Sequence, residues 1–190
     1  MARALLIVDV QNDFTEGGAL GVEGGAAVAR GITRLLRSEP DYEVVVASRD
    51  WHDAEGTNGG HFALDGAPDF VVTWPVHCVA GTSGADYHPA LDTTLVDVHV
   101  RKGMGVPAYS MFEGVTDDGS TVEALLDRLG IDEVDVVGIA THYCVRASAL
   151  DALGTGRRVR VLEGLVAGVA PESSRAALAE LRAAGAVTGD

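Results

Sequence analysis

The chain has 190 residues, 47% apolar and 22% charged, with a formal net charge of −14 at pH 7. That length and balance fit one globular domain with a substantial core and leave little room for two. The acidic surplus argues against nucleic acid and anionic membrane as partners, no apolar run approaches a membrane span, and two cysteines, Cys78 and Cys144, do not make a disulfide framework.

In chain order, Ala4–Val10 reads as a buried strand interrupted by Asp9, too short for a signal peptide, so a soluble cytoplasmic protein is expected. A helix follows over about Glu23–Ser38, with Val28, Ile32, Leu35 and Leu36 near one face. Strands are expected at Glu43–Ser48 and Thr94–Arg101, then a helix over about Thr121–Leu129 with Ser120 as cap and Gly130 as stop. A strand at Glu133–Ile139, a helix over about Cys144–Leu153, a strand at Arg158–Leu162, a helix over about Pro171–Ala184 and a short strand at Ala186–Thr188 complete the chain. Several strands are continuous apolar runs, as strands covered on both faces are. Alternating strands and helices predict a three-layer α/β/α domain with a six-stranded, mostly parallel sheet spanning residues 1–190. In such sheets sites form at the carboxyl ends of the strands.

Three chemistry-bearing residues meet that positional test. Asp9 ends the first strand, Lys102 follows the third, and Cys144 follows the strand ending at Ile139, at the start of a helix. Asp9 is either a turn cap working with Asn12 or a general acid/base tuned by burial. Cys144 is either an inert buried thiol or a nucleophile activated by the helix dipole and a nearby cation. At a reference pKa of about 8.5 only about 3% of a thiol is ionised at neutral pH; a drop of about two units, worth about 2.7 kcal/mol, would make most of it thiolate. Lys102 stands out because the other thirteen basic residues are all Arg. It is either chance or the mark of a site that needs a compact ammonium, which a guanidinium cannot imitate. Together the trio suits acyl transfer from an amide, with backbone N–H groups at the helix start stabilising the oxyanion and the carboxylate carrying the proton to the departing amine.

The segment from Asp50 to Ser83 is too long for an idle loop and holds Asp50, His52, His61 and His77. Three imidazoles and a carboxylate suit one divalent ion, with Zn, Fe and Mn all open. His88, His99 and His142 lie outside this cluster. Phe14, Trp74, Tyr109 and Tyr143 are ordinary packing one by one; together they suggest walls for a flat ring.

The segments Asp9-Val-Gln-Asn-Asp-Phe14, Ser48-Arg-Asp-Trp-His52, His61-Phe62, Trp74-Pro-Val-His-Cys-Val-Ala-Gly-Thr82, Arg101-Lys-Gly103, Ala108-Tyr-Ser110 and Gly138-Ile-Ala-Thr-His-Tyr-Cys-Val145 resemble, in order and spacing, the nicotinamidase/pyrazinamidase branch of the isochorismatase-like cysteine hydrolases. The resemblance implies a single such domain that converts nicotinamide, and pyrazinamide with it, to the acid and ammonia through a cysteine thioester, with a role in NAD salvage. It implies Cys144 as nucleophile, Asp9 as proton shuttle and Lys102 as electrostatic partner. It implies Asp50, His52, His61 and His77 around one metal that binds or polarises the pyridine nitrogen, and Phe14 and Trp74 flanking the ring. It further implies an oxyanion hole from the N–H groups of Ala140 and Cys144 beside a cis Ile139–Ala140 peptide. His142 stands where relatives usually carry Asp or Glu, and Met111 where Gly is common; both positions are expected to border the pocket. A small aromatic amide is the expected partner of a monomer or homo-oligomer.

Three rivals share these residues. A sibling hydrolase would take another small amide or isochorismate. A metal-bound hydroxide would make Cys144 a core residue. A metal-stabilised binding domain would have no activity at all.

Overall fold

The protein is described here by a computed structural model covering residues 2–38 and 40–189. Among the described residues seven strands form one sheet in the order β4-β3-β2-β1-β5-β6-β7. They are β1 (Ala2–Val8), β2 (Val44–Asp50), β3 (Val98–Lys102), β4 (Val115–Thr116), β5 (Ile131–Ile139), β6 (Arg158–Ala167) and β7 (Val187–Gly189). All neighbours run parallel except β4, which pairs antiparallel to β3. The strand beyond the six expected is this two-residue edge piece, too short to carry a hydrophobic period. Among the described residues four helices cover the sheet: α1 (Gly25–Arg37), α2 (Val122–Arg128), α3 (Arg146–Gly154) and α4 (Pro171–Ala184).

Alternation along β1 divides the core. Ala4, Leu6 and Val8 pack with residues of α2, α3 and α4, whereas Leu5 and Ile7 face α1. Both faces are therefore dry, as the unbroken apolar runs required. Among the described residues no helix is long and apolar enough to cross a membrane.

Several boundaries differ from the sequence reading. Thr121, not Ser120, caps α2: its Oγ1 accepts the Ala124 N–H at 3.2 Å. β3 begins at Val98 because Thr93–Leu95 form a short 3-10 turn capped by Asp92. β1 stops at Val8 because Asp9 enters the left-handed region with φ 47°. The chain then reaches α3 through a wide π-type turn, Thr141–Val145, so Cys144 sits within that turn and ahead of the regular helix.

The chain fills the sheet outward from β1 in two directions, toward β2 and toward β5. This puts the topological switch point, the crevice where α/β sheets bind ligands, between the ends of β1 and β5. The two strands approach closely at Gly138, which has φ 121° and whose added Cβ would lie 2.1 Å from the Val8 carbonyl oxygen. Gly138→Ala is expected to cost about 3 kcal/mol or more. A thermal melt should show a midpoint lower by about 6–12 °C.

Candidate functional site

The parallel register of β2 and β3 pairs Asp50 with Lys102, the last residues of both strands. Their side chains leave the sheet together, and Lys102 forms an ion pair with Asp50 Oδ1. The Lys102 ammonium also lies 2.9 Å from Asp9 Oδ2 and donates toward Cys144 Sγ at 3.8 Å. An ammonium has three N–H donors, and here three acceptors converge on it from three strand ends. A planar guanidinium could not meet that geometry, which accounts for the lone lysine in an arginine-rich chain. All four groups are buried. Ser48 Oγ donates to Asp9 Oδ1 at 2.7 Å, which leaves Oδ2 facing the ammonium.

Burial and charge act against each other on these groups. Burial pushes the Asp9 carboxyl up, helped by Asp50 and opposed by Lys102, and its affinity for a proton ends above that of an ordinary aspartate. Burial also raises Asp50, but Lys102 and then His52 and His77 outweigh it and hold that carboxyl well below the usual range. Burial would neutralise Lys102; Asp50 and Asp9 reverse this and keep it charged. The Cys144 thiol departs from the expectation of a depressed pKa. Burial pushes it well up, Asp9 and Asp50 add to that, and Lys102 opposes without prevailing. The sulfur thus holds its proton more tightly than a free cysteine does, with a carboxylate of raised basicity close by.

Beside Asp50 lie His52, His61 and His77, all buried, with ring nitrogens within 4.8 Å of one another. His52 Nδ1 donates to the Gly103 carbonyl at 2.7 Å and His77 Nδ1 to the Pro75 carbonyl at 2.8 Å. These bonds orient both rings and place each Nε2 toward the carboxylate, 3.7 and 3.8 Å from Asp50 Oδ2. His52 Nε2 and His61 Nδ1 are buried without a hydrogen-bond partner. Burial, then His52 and His77, lower the His61 pKa to about 4, so its ring is neutral. Converging buried ring nitrogens beside an ionised carboxylate are costly alone and suit a divalent metal ion. Gly103 belongs to this arrangement: with φ 75°, an added Cβ would lie 2.5 Å from the His52 ring.

Above these groups opens a cavity of about 380 Å³. Cys144, Ala140, Asp50, His61 and His77 contribute to its lining, and so do all four expected aromatic residues, Phe14, Trp74, Tyr109 and Tyr143. Trp74 Nε1 donates to Tyr109 Oη at 3.0 Å, and Tyr143 meets the Trp74 ring edge-on at a centroid distance of 5.0 Å. The Ile139–Ala140 peptide is cis, as expected. Met111 and His142 do not border the cavity. Met111 is fully buried in the core, and His142 packs on Tyr143 with ring centroids 4.2 Å apart.

Sequence reasoning missed Ser48 and Gln11, which bind Asp9 and Asp50, and the apolar wall residues Leu20, Val22, Phe70 and Val169. Leu20 and Val22 sit in a glycine-rich stretch with no helical or strand period. The one available signal was an apolar side chain among turn formers, as with Phe70 at φ 57° and 53% exposure.

The sequence model of the isochorismatase domain family matches residues 3–190. Nicotinamidase/pyrazinamidase of Mycobacterium tuberculosis is 52% identical over 182 residues, covering 96% of this chain and 95% of that protein. Among solved structures, pyrazinamidase of Pyrococcus horikoshii in complex with zinc superposes with a TM-score of 0.83 at 37% identity, covering 99% of this chain and 98% of that one. PnC1 of L. infantum in complex with nicotinate superposes with a TM-score of 0.84 at 37% identity, covering 98% of this chain and 91% of that one.

Proposed function

The chain belongs to the isochorismatase family, and from that membership together with the geometry of the site we propose that it hydrolyses nicotinamide, and pyrazinamide with it, to the acid and ammonia through a thioester on Cys144. The observation that carries this reading is one buried ammonium shared by the Asp9 carboxylate at 2.9 Å and the Cys144 sulfur at 3.8 Å, beneath an aromatic cavity.

Asp9 takes the thiol proton as sulfur attacks the amide carbon, so no standing thiolate is needed. The raised affinity of Asp9 for a proton favours that transfer. Lys102 stays charged throughout and offsets the negative charge that moves between oxygen and sulfur. The backbone N–H groups of Ala140 and Cys144 receive the oxyanion. Asp9 then returns the proton to the departing amine, which leaves as ammonia, and activates the water that cleaves the thioester. Phe14 and Trp74 flank the ring, and Tyr109 and Tyr143 complete the wall.

Asp50, His52, His61 and His77 would hold one divalent ion, Zn, Fe or Mn, which supplies a Lewis acid for the pyridine nitrogen, directly or through water. Chelation is expected to lower the melting midpoint, and Zn²⁺ restored at about 100 times its dissociation constant should return about 2.7 kcal/mol. His61→Ala should lose both the bound metal, read by elemental analysis, and that recovery.

The test of the activity is ammonia and nicotinate release from nicotinamide by the metal-loaded protein. Failure to turn over nicotinamide or pyrazinamide would overturn it, and turnover of isochorismate instead would assign the sibling reaction.

A further inference from the structure

We propose that Gln11 is a positioning residue that sets the aim of the Asp50 carboxylate, and through it the affinity of the His52, His61 and His77 cluster for its ion; this rests on the metal reading above. The register of β1 with β2 ends at Ile7 and Ala47. Asp9, at φ 47°, then turns the β1 chain away before β2 reaches Asp50. The Gln11 side chain stands in for the lost strand neighbour. Its Oε1 accepts the Asp50 N–H at 2.8 Å, and its Nε2 donates to the Asp50 carbonyl at 2.9 Å. One primary amide on both main-chain groups of a single residue fixes the two flanking peptide planes as a ladder would.

The amide itself has little freedom. Gln11 is fully buried, and its second Nε2 hydrogen goes to the Ala85 carbonyl at 2.9 Å. Exchanging its oxygen and nitrogen would set oxygen against two carbonyls and NH₂ against an N–H, so its orientation is determined. Gln11 thus joins the end of β1, the end of β2 and the 83–85 turn at one point.

Asp50 is where this matters. One of its oxygens pairs with Lys102, and the other lies 3.7 and 3.8 Å from Nε2 of His52 and His77. A carboxylate with two simultaneous partners tolerates little displacement of its own backbone, and groups that orient metal ligands commonly control affinity 10–100-fold.

The experiment compares wild type, Gln11→Met, Gln11→Asn and a control, Leu126→Ala, which empties a fully buried position in α2 away from the site. Zn²⁺ dissociation constants are measured by chelator competition, alongside melting midpoints in chelator and kcat and KM for nicotinamide. Gln11→Met is expected to weaken Zn²⁺ binding about 10–100-fold. Its kcat should fall more than its KM rises, while Leu126→Ala loses stability and keeps wild-type affinity. Gln11→Asn, still polar but one methylene short of Asp50, should weaken binding in the same direction and answers the question if the Met variant does not fold. Wild-type affinity in the Gln11 variants, or an equal loss in Leu126→Ala, would overturn the proposal. A wild-type protein that binds no ion would overturn the metal reading and this inference with it, and is distinguished by that first measurement.

Discussion

Replacing Cys144 with alanine is expected to reduce ammonia release from nicotinamide by about four orders of magnitude or more, with the fold and the metal site intact. The side chain is small and 7% exposed at the base of the cavity, so its loss removes one sulfur and little packing. The attack on the amide carbon needs that sulfur, and Asp9 and Lys102 alone supply only a base and a charge. Iodoacetamide should inactivate the wild-type protein, and prior nicotinate should slow it. Alkylated protein that still turned over nicotinamide, or an unimpaired Cys144→Ala, would move the chemistry to a metal-bound hydroxide and leave the sulfur as packing.

Replacing Lys102 with methionine should be nearly as damaging to activity and far more damaging to stability. The ammonium is the countercharge for two fully or almost fully buried carboxylates, Asp9 and Asp50. Removing one partner of a buried pair costs about 3–5 kcal/mol because the remaining charges are stranded. At this chain length a melt in chelator should fall by roughly 6–20 °C. The pH dependence follows from sign. In the wild type, Asp50 is held well below its unfolded value, so its contribution is present at neutral pH and lost as pH falls through that depressed value. In Lys102→Met the main opposition to burial is gone and both carboxyls rise, so protonation relieves the folded state. The deficit should be largest near pH 7 and shrink as the pH falls toward about 4. Lys102→Arg should not restore activity, because a guanidinium has neither the size nor the three-way geometry of the site. A deficit independent of pH would mean that the two carboxylates are not charged against the lysine.

What could be read before the structure was what lies close in the chain or repeats with a period. Helix α4 starts at Pro171 and ends before Gly185, as the proline and glycine signals indicate. The unbroken apolar strands declared a sheet covered on both faces, and Asp50, His52, His61 and His77 were visible because they crowd one irregular segment. Ser48 and Gln11 were not, since a serine inside a strand and a glutamine after one carry no local mark of the acids they touch. The resting state of Cys144 was misjudged for a related reason. Helix position and one lysine are readable from a sequence, but depth of burial and the presence of a second carboxylate are set by packing. Met111 and His142 neighbour pocket residues in sequence only; the chain turns one into the core and the other onto Tyr143.

The order of the sheet has a consequence for how the molecule is made. The metal-facing residues all precede Cys78, whereas the sulfur emerges on the polypeptide only after β5. Until β5 docks alongside β1, Asp9 and Lys102 have no thiol to act on, and the thiol has no base. A complete but half-folded chain therefore carries every reactive group without the reactivity. Turnover requires the closing of the central strand pair, so ammonia release during refolding would not start before that event.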